Sequence, residues 1–482
     1  MSVLPGVGSA FGAAPGRGRG VVAGRGGGPA RALARIVVLL VAFGLGTAYG
    51  TLVVRTGIFP YELAHTVTSS LRRGAGRIES EVRDKPSGRW SEARGPAQVR
   101  ALTPEEEAEL RELMTLGYLA GSKPASGEGG VTHRDVRKAY DGYNMYTSGH
   151  GPEAFLLDMD GNVLHSWTLG FLDVWPDYDG PVQDPAGQVW RRARLLENGE
   201  LLAIYDYLGL VKLDSDSRLI WSRLHGNHHD LDVLDDGTIY VLEHELRLVP
   251  RVHERQPVSE DFIAVLDPDG SPRMRLSLLQ AFENSDYAPV LRAMPEWGDI
   301  LHTNTLEVLD GTFADASPAF RRGNVLVSLR EVDTIAVIDM EAGSVVWALV
   351  GRWDRQHQPT FLPDGRMLLF NNEAGTDARG EAISEVVEFD PLTQDVRWSY
   401  DGNAPGGLYS QASGSCQRLP NGNTLITESD NGRAIEVTPD GGIVWEFVNP
   451  MRAGQNDELI ASLYEMVRLS PDTPIDWARA AK

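Results

Sequence analysis

A ten-residue pattern recurs through the C-terminal two-thirds of this 482-residue chain and ends each time in a turn glycine. It reads WRRARLLENG at 190–199, HHDLDVLDDG at 228–237, QHQPTFLPDG at 356–365 and SGSCQRLPNG at 413–422, with a looser copy, LHTNTLEVLDG, at 301–311. In each copy an apolar run enters a turn whose glycine can take positive φ, and a second apolar run follows, such as ELLAIYDY, TIYVLEHE, RMLLFNN or NTLITES. Stretches such as EVVEFDPLTQDVRWSY and AIEVTPDGGIVWEF add a third and a fourth run around another turn. A unit of four short strands that cannot bury its own face has to stack against copies of itself, which predicts an all-β fold, a β-propeller.

Five units start near 190, 228, 301, 356 and 413, and the two ends of the region supply a sixth. AFLLDMDGNVLHSW at 154–167 is a hairpin lacking inner strands, and LYEMVRLSPD at 463–472 is a strand without a hairpin. Pairing them closes a six-bladed ring over 140–472 and removes exposed sheet edges. Trp167, Trp221, Trp347, Trp398 and Trp445 recur near the unit ends and are expected to pack between blades. DMEAGSVVW at 339–347 fits the spacing of quinoprotein propellers, but the other units do not, so no cofactor is expected.

The rest of the chain has a different character. Residues 1–35 form a Gly/Arg-rich tail with almost nothing to bury. Ile36 to Val54 is a run of nineteen uncharged residues bounded by Arg35 and Arg55, spanning about 28 Å as a helix and so matching a bilayer. A single transmembrane helix is therefore expected ahead of the propeller, in competition with a cleaved signal peptide. The arginines before it favour a cytoplasmic N-terminus, a bacterial inner-membrane anchor and a periplasmic or extracytoplasmic propeller. Residues 55–139 read as a stalk, with a capped helix at about 103–118, and residues 473–482 as a tail. Residues 1–60 carry six arginines and no acid, which leaves −27 on residues 131–482 of a net −22. That balance excludes a nucleic-acid binder, and one cysteine, Cys416, excludes an intrachain disulfide.

In a propeller the residues that begin each inner strand sit together at one channel mouth. Aligning the ten-mers on their glycine puts Arg191, His229, His357 and Gly414 in one column, with His302 on the same strand parity. His229 stands between His228 and Asp230, where a carboxylate could orient an imidazole. Arg191, Arg192 and Arg379 could make a cationic island for an anion inside an acidic body. Three histidines could also hold zinc. His165, His244 and His253 are read as structural or surface groups.

The motifs AYDGYNMYTSGHGPEAFLLDMDGNVLHSW, HHDLDVLDDGTIYVL, QHQPTFLPDGRMLLFNN and SCQRLPNGNTLITESDNGRAIEVTPDGGIVWEFVNP resemble, over about 139–470, the bacterial arylsulfate sulfotransferase family. The resemblance implies an exported six-bladed propeller that moves a sulfuryl group from an aryl sulfate to a phenol without a nucleotide donor, through a sulfohistidine. By motif position His229 and His357 match the family's sulfate-binding histidines and Arg379, in DARG, its arginine. The family's nucleophile comes from a later blade, yet this chain has no histidine after His357, and Ser413, Ser415 and Cys416 occupy the corresponding strand. The expected catalytic set is therefore His357, His302, His229 and Arg379, with Arg191, Arg192, His228, Asp230 and Cys416 binding substrate. The competing expectation is a non-catalytic membrane-anchored scaffold that binds a partner or small ligand.

Overall fold

The computed structural model describes residues 129–178, 189–377, 380–402, 407–453 and 459–480. The expected membrane span at 36–54, the stalk up to residue 128 and its helix, and Arg379 all lie outside the described residues. No helix among the described residues is long and apolar enough to cross a membrane.

The architecture is all-β and propeller-like. Three sheets have four strands each: Leu463–Leu469, Tyr143–Ser148, Glu153–Leu157, Val163–Thr168; then Thr303–Val308, Val325–Leu329, Thr334–Asp339, Ser344–Val350; then His357–Phe361, Met367–Thr376, Ala382–Phe389, Val396–Tyr400. A fourth runs Ser415–Arg418, Thr424–Glu428, Arg433–Val437, Ile443–Val448 and adds Gly130–Arg134 as a fifth strand at its edge. The largest passes from Trp190–Leu195 to Pro272–Ser277 through the long strand Leu219–Val233, which ends one group of four strands and begins the next. Gly226, at φ 64°, marks the corner in that strand; a side chain there would meet the His244 carbonyl oxygen at 2.5 Å, so glycine is required.

The C-terminal strand Leu463–Leu469 pairs antiparallel with Tyr143–Ser148, in register from Tyr143 opposite Leu469 to Thr147 opposite Glu465. Tyr143–Ser148 escaped the sequence reading because YNMYTS has no turn glycine at the repeat spacing. Two boundaries also move. Sheet structure begins at Gly130 rather than Tyr140, and the expected C-terminal tail contains the helix Asp476–Ala480, whose Trp477 packs against Trp167 and His165.

The alternation of the strands fills the space between sheets with apolar clusters, each drawing on two neighbouring units, as where Leu326, Ile335 and Val337 meet Met367, Leu369 and Phe389. Four of the recurring tryptophans also reach across by hydrogen bond. The indole N–H of Trp167 donates to Gly199 O at 3.1 Å, Trp221 to Pro268 O at 3.2 Å, Trp398 to Pro439 O at 2.9 Å and Trp445 to Met159 O at 3.0 Å. Each bond joins the outer strand of one unit to a turn of the next; the Trp167 and Trp445 indoles are fully buried, and there the bond satisfies a buried polar tip while the ring fills the gap.

A second set of links runs along the axis, from side chains of one inner strand to backbone amides of the next. Asp230 accepts from Leu306 N, Glu307 from Phe361 N, the Gln358 amide oxygen from Cys416 N and the Gln417 amide oxygen from Arg468 N. An inner edge with no further strand thus has its amides satisfied by side chains, and the channel mouth gains a fixed frame.

Candidate active site

The first residues of the inner strands do not lie flat in their ladders. Strand register shifts between Trp190 and Arg192, Asn227 and Leu231, Thr303 and Thr305, His357 and Thr360, and opposite the Thr147/Ser148 step. Such bulges re-aim side chains. Here they turn Arg191, His229, Asn304, Gln358 and Tyr464 onto a small cavity that His357 and Gly414 also line. His229, His302 and Gln358 sit at φ 49°, 51° and 47°, left-handed conformations that non-glycine residues adopt at a cost and that concentrate where geometry serves function.

His357 is buried and held from one side. Its Nδ1 lies 2.7 Å from Asn372 Oδ1 and 3.0 Å from the Arg355 carbonyl oxygen. Both partners only accept, so the proton is on Nδ1 and the lone pair on Nε2, and Nε2 has no hydrogen-bond partner. Burial, reinforced by the nearby Arg191 charge, holds the ring's pKa well below the usual histidine value, so the imidazole is neutral at pH 7.

His302 is committed on both nitrogens. Nδ1 is 2.5 Å from Asp299 Oδ2 and Nε2 is 3.1 Å from Arg330 Nη1. Burial opposes ionisation of Asp299, but the hydrogen bond and charge of His302 outweigh it and keep the carboxyl below its usual range. The His302 ring stands edge-on to His229, with centroids 4.8 Å apart. His229 Nδ1 in turn lies 2.9 Å from His228 Nδ1.

The other expected residues fall into different positions. Arg191 lines the cavity, with its guanidinium 4.9 Å from the Tyr464 ring centroid and 4.0 Å from Asp206. Arg192 is consumed by Asp230, at 2.7 Å, and by Glu465, so it is a poor anion ligand. Asp230 does not orient His229. Its oxygens accept from the Leu231 and Leu306 amides and from Arg192, a wholly structural set. His228 is buried against Tyr207, its ring stacked at 5.4 Å, and does not line the cavity. Cys416 faces a larger vestibule below the histidines, and burial pushes its thiol far above the ordinary value; it is too poorly ionised to act as a nucleophile or to hold a sulfate.

The two cavities share Arg192, Thr305, Gln358, Ser415 and Glu465. Arg192 bonded to Asp230 and Glu465, with the Gln358 amide N–H donating to Glu465 at 2.8 Å, forms a polar layer across the channel between them. The column position of the 413–422 repeat is Gly414, where a Cβ would meet the Phe370 ring at 2.6 Å; packing forbids any side chain there. Arg330 and Asn372 were missed by sequence reading, because neither belongs to an inner strand. Among the described residues, no group of three His, Cys, Asp or Glu side chains has the geometry to hold a metal ion.

Residues 192–450 match the family described as Arylsulfotransferase (ASST). No curated protein matches the chain. Among solved structures, a protein of unknown function from Bacteroides caccae is 13% identical and covers 68% of this chain and 98% of its own, with a TM-score of 0.43. Streptogramin B lyase is 13% identical, covering 71% and 88%, with a TM-score of 0.38. The Dos1 propeller is 10% identical, covering 66% and 75%, with a TM-score of 0.35.

Proposed function

This chain belongs to the arylsulfotransferase family, and on that premise we propose that it transfers a sulfuryl group from an aryl sulfate to a phenolic acceptor, without a nucleotide sulfate, with His357 as the nucleophile. One observation carries the assignment: His357 is a buried neutral imidazole whose Nδ1–H is pinned and whose Nε2 lone pair has no partner, in the wall of a cavity that Arg191 and His229 share.

In the first step Nε2 attacks sulfur, the N–S bond forms, and the S–O(aryl) bond breaks with its electron pair leaving on the phenolic oxygen. In the second, an acceptor phenolic oxygen attacks the same sulfur and the N–S pair returns to Nε2. Because Nδ1–H is held by an amide oxygen and a carbonyl rather than by a carboxylate, the ring keeps that proton while sulfated. A cationic ring is the better leaving group, so the intermediate stays reactive. Arg191 is placed to stabilise charge on the sulfuryl oxygens, and His229 faces the same cavity.

The same premise carries the rest of the reading. Six blades are supported by the six inner strands that supply the vestibule walls and by the division of the long sheet at Leu219–Val233; pairing of Leu463–Leu469 with Tyr143–Ser148 is the joint of a closed ring. Residues 36–54 anchor the chain in the membrane, with residues 55–129 as a stalk and the propeller on the extracytoplasmic side, which protease accessibility in intact spheroplasts would test.

The decisive experiment is incubation of the purified full-length protein with 4-nitrophenyl sulfate. A burst of nitrophenolate without acceptor, turnover with added phenol, an acid-labile SO3 adduct on the peptide containing His357, and loss of all three in His357→Ala are expected. No release by the wild-type protein, or equal release by His357→Ala, overturns the proposal.

A further inference from the structure

Behind the cavity lies a line of buried groups that nucleophilic attack by His357 does not use. His229 faces the cavity, His228 Nδ1 is 2.9 Å from His229 Nδ1, and His228 Nε2 is 3.8 Å from Asp261 Oδ1. His228 and Asp261 are 1% and 2% exposed. Two imidazoles joined Nδ1 to Nδ1 must place one proton between them, so the tautomer of one ring sets that of the other. His228 Nε2 has no side-chain hydrogen bond and faces the Glu243 carbonyl as well as Asp261, whose Oδ2 accepts from Thr303 N at 2.7 Å, which leaves its Oδ1 turned towards that nitrogen.

We propose that Asp261, His228 and His229 form an internal proton relay that protonates the departing phenolic oxygen and later takes a proton from the incoming phenol. This rests on the sulfuryl-transfer reading above. In the donor step, His229 Nε2–H passes its proton to the phenolic oxygen, His228 Nδ1–H passes one to His229 Nδ1, and the Asp261 carboxylic acid, once the 3.8 Å separation from His228 Nε2 closes to hydrogen-bond distance, passes one to that nitrogen. The line ends as a carboxylate facing His228 Nε2–H, with His229 carrying its proton on Nδ1. In the acceptor step the phenol O–H proton enters at His229 Nε2 and each transfer reverses, so one full turnover consumes no proton. His228 and Asp261 act through His229 and are positioning residues.

The surroundings fit both states of the relay. Burial, with the Asp299 charge next, raises the Asp261 carboxyl to about 8, so it is a stored acid at neutral pH. Burial holds His228 well below the ordinary histidine value, so neither state needs an imidazolium. The groups facing the line are His244 and the Glu243 carbonyl from Ile239–Arg247, Glu260 on Asp261's own strand, Asp299 with its His302 partner, and Tyr207 stacked on His228. His244 is itself occupied by Ser259 Oγ at 2.9 Å and by the Tyr207 carbonyl, and Asp299 by His302, so Asp261 is the acid that faces His228.

The experiment compares Asp261→Asn with the wild-type full-length protein on two donors, phenyl sulfate and 4-nitrophenyl sulfate. Asparagine keeps the bond from Thr303 N but holds no exchangeable acid. In the donor half-reaction, followed as the burst of released phenol without acceptor, the relay predicts a loss of roughly 10²-fold on phenyl sulfate, whose basic leaving oxygen needs the proton, and a much smaller loss on 4-nitrophenyl sulfate, whose oxygen leaves readily as the anion. Equal loss on both donors, or loss on neither, overturns the relay. If the wild-type protein turns over neither donor, the sulfuryl-transfer reading is what fails, and the relay is judged by 15N-histidine NMR alone. There it predicts a paired tautomer change, with the His228 proton moving from Nδ1 to Nε2 and the His229 proton from Nε2 to Nδ1, as pH rises through about 8. Absence of that change in the wild-type protein overturns the relay.

Discussion

Nδ1 of His357 lies 2.7 Å from Oδ1 of Asn372, and the orientation of that amide is fixed independently, because its Nδ2 donates to the carbonyl oxygens of Ser410 at 2.7 Å and Ser413 at 2.9 Å. An amide so anchored offers His357 an acceptor only, and so selects the tautomer with the lone pair on Nε2. Asn372 belongs to the second strand of its sheet, one layer back from the channel, and the nucleophile's orientation is thus set by the strand behind it.

Asn372→Ala is expected to lower the rate of nitrophenolate release roughly 10²-fold, the scale on which a misplaced reacting group is penalised, with little change in KM. The Ser413 carbonyl loses the Asn372 donor and the Ser410 carbonyl keeps only the Ser384 hydroxyl, so unfolding stability should fall by about 1–3 kcal/mol. Steady-state kinetics beside urea unfolding separates the two effects. Unchanged kcat in a folded variant would show that Asn372 does not orient the nucleophile.

Among the described residues, Arg191 is the cation that lines the cavity, with Arg192 spent on two carboxylates. Arg191→Gln is therefore expected to cost about 10²–10³-fold in kcat, the usual penalty for removing a donor aimed at developing charge, and to weaken competitive inhibition by inorganic sulfate. Arg192→Gln should behave in the opposite way. It leaves Asp230 and Glu465 buried without their partner, so the loss should appear mainly in thermal stability.

The turn-glycine repeat made the inner strands legible, and with them the cavity positions of Arg191, His229, His357 and Gly414, because a period in sequence becomes a ring in space. Asn304 and Tyr464 take equivalent places yet escaped notice, since 301–311 is one residue off the spacing and 463–472 has no turn glycine. Arg330, Asn372 and Asp261 were illegible for a different reason. They act across strands on residues 28, 15 and 33 positions away, and only the fold decides that Asp261 rather than the adjacent Asp230 stands beside the histidine pair. Asp230 looked like a histidine's carboxylate by proximity in sequence, but strand alternation sends it along the channel to the next inner strand's amide.

Cys416 gives a direct test of that kind of correction. The thiol is 3% exposed and raised by burial, so a native sample at pH 8 should react with a thiol-specific disulfide reagent orders of magnitude more slowly than one unfolded in guanidinium. Cys416→Ala should retain sulfuryl transfer. Fast labelling of the native protein, or loss of activity in a folded Cys416→Ala, would return the residue to the site.

Glu307 should make stability fall as the solution becomes basic. Its carboxyl is mostly enclosed and accepts one backbone bond, from Phe361 N at 3.1 Å; burial, together with the nearby Asp232, Asp310 and Asp230 charges, lifts it from 4.5 to about 8. The folded state then keeps this proton while the unfolded chain releases it. The stabilisation is full below the unfolded value of 4.5 and is lost as pH rises towards and through about 8. Glu307→Gln retains an oxygen for the Phe361 amide but cannot ionise, so its melting temperature should decline less than the wild type's between pH 5 and 9 and exceed it at the basic end. Parallel profiles for the two proteins would mean that Glu307 ionises in the folded state as readily as in the unfolded chain.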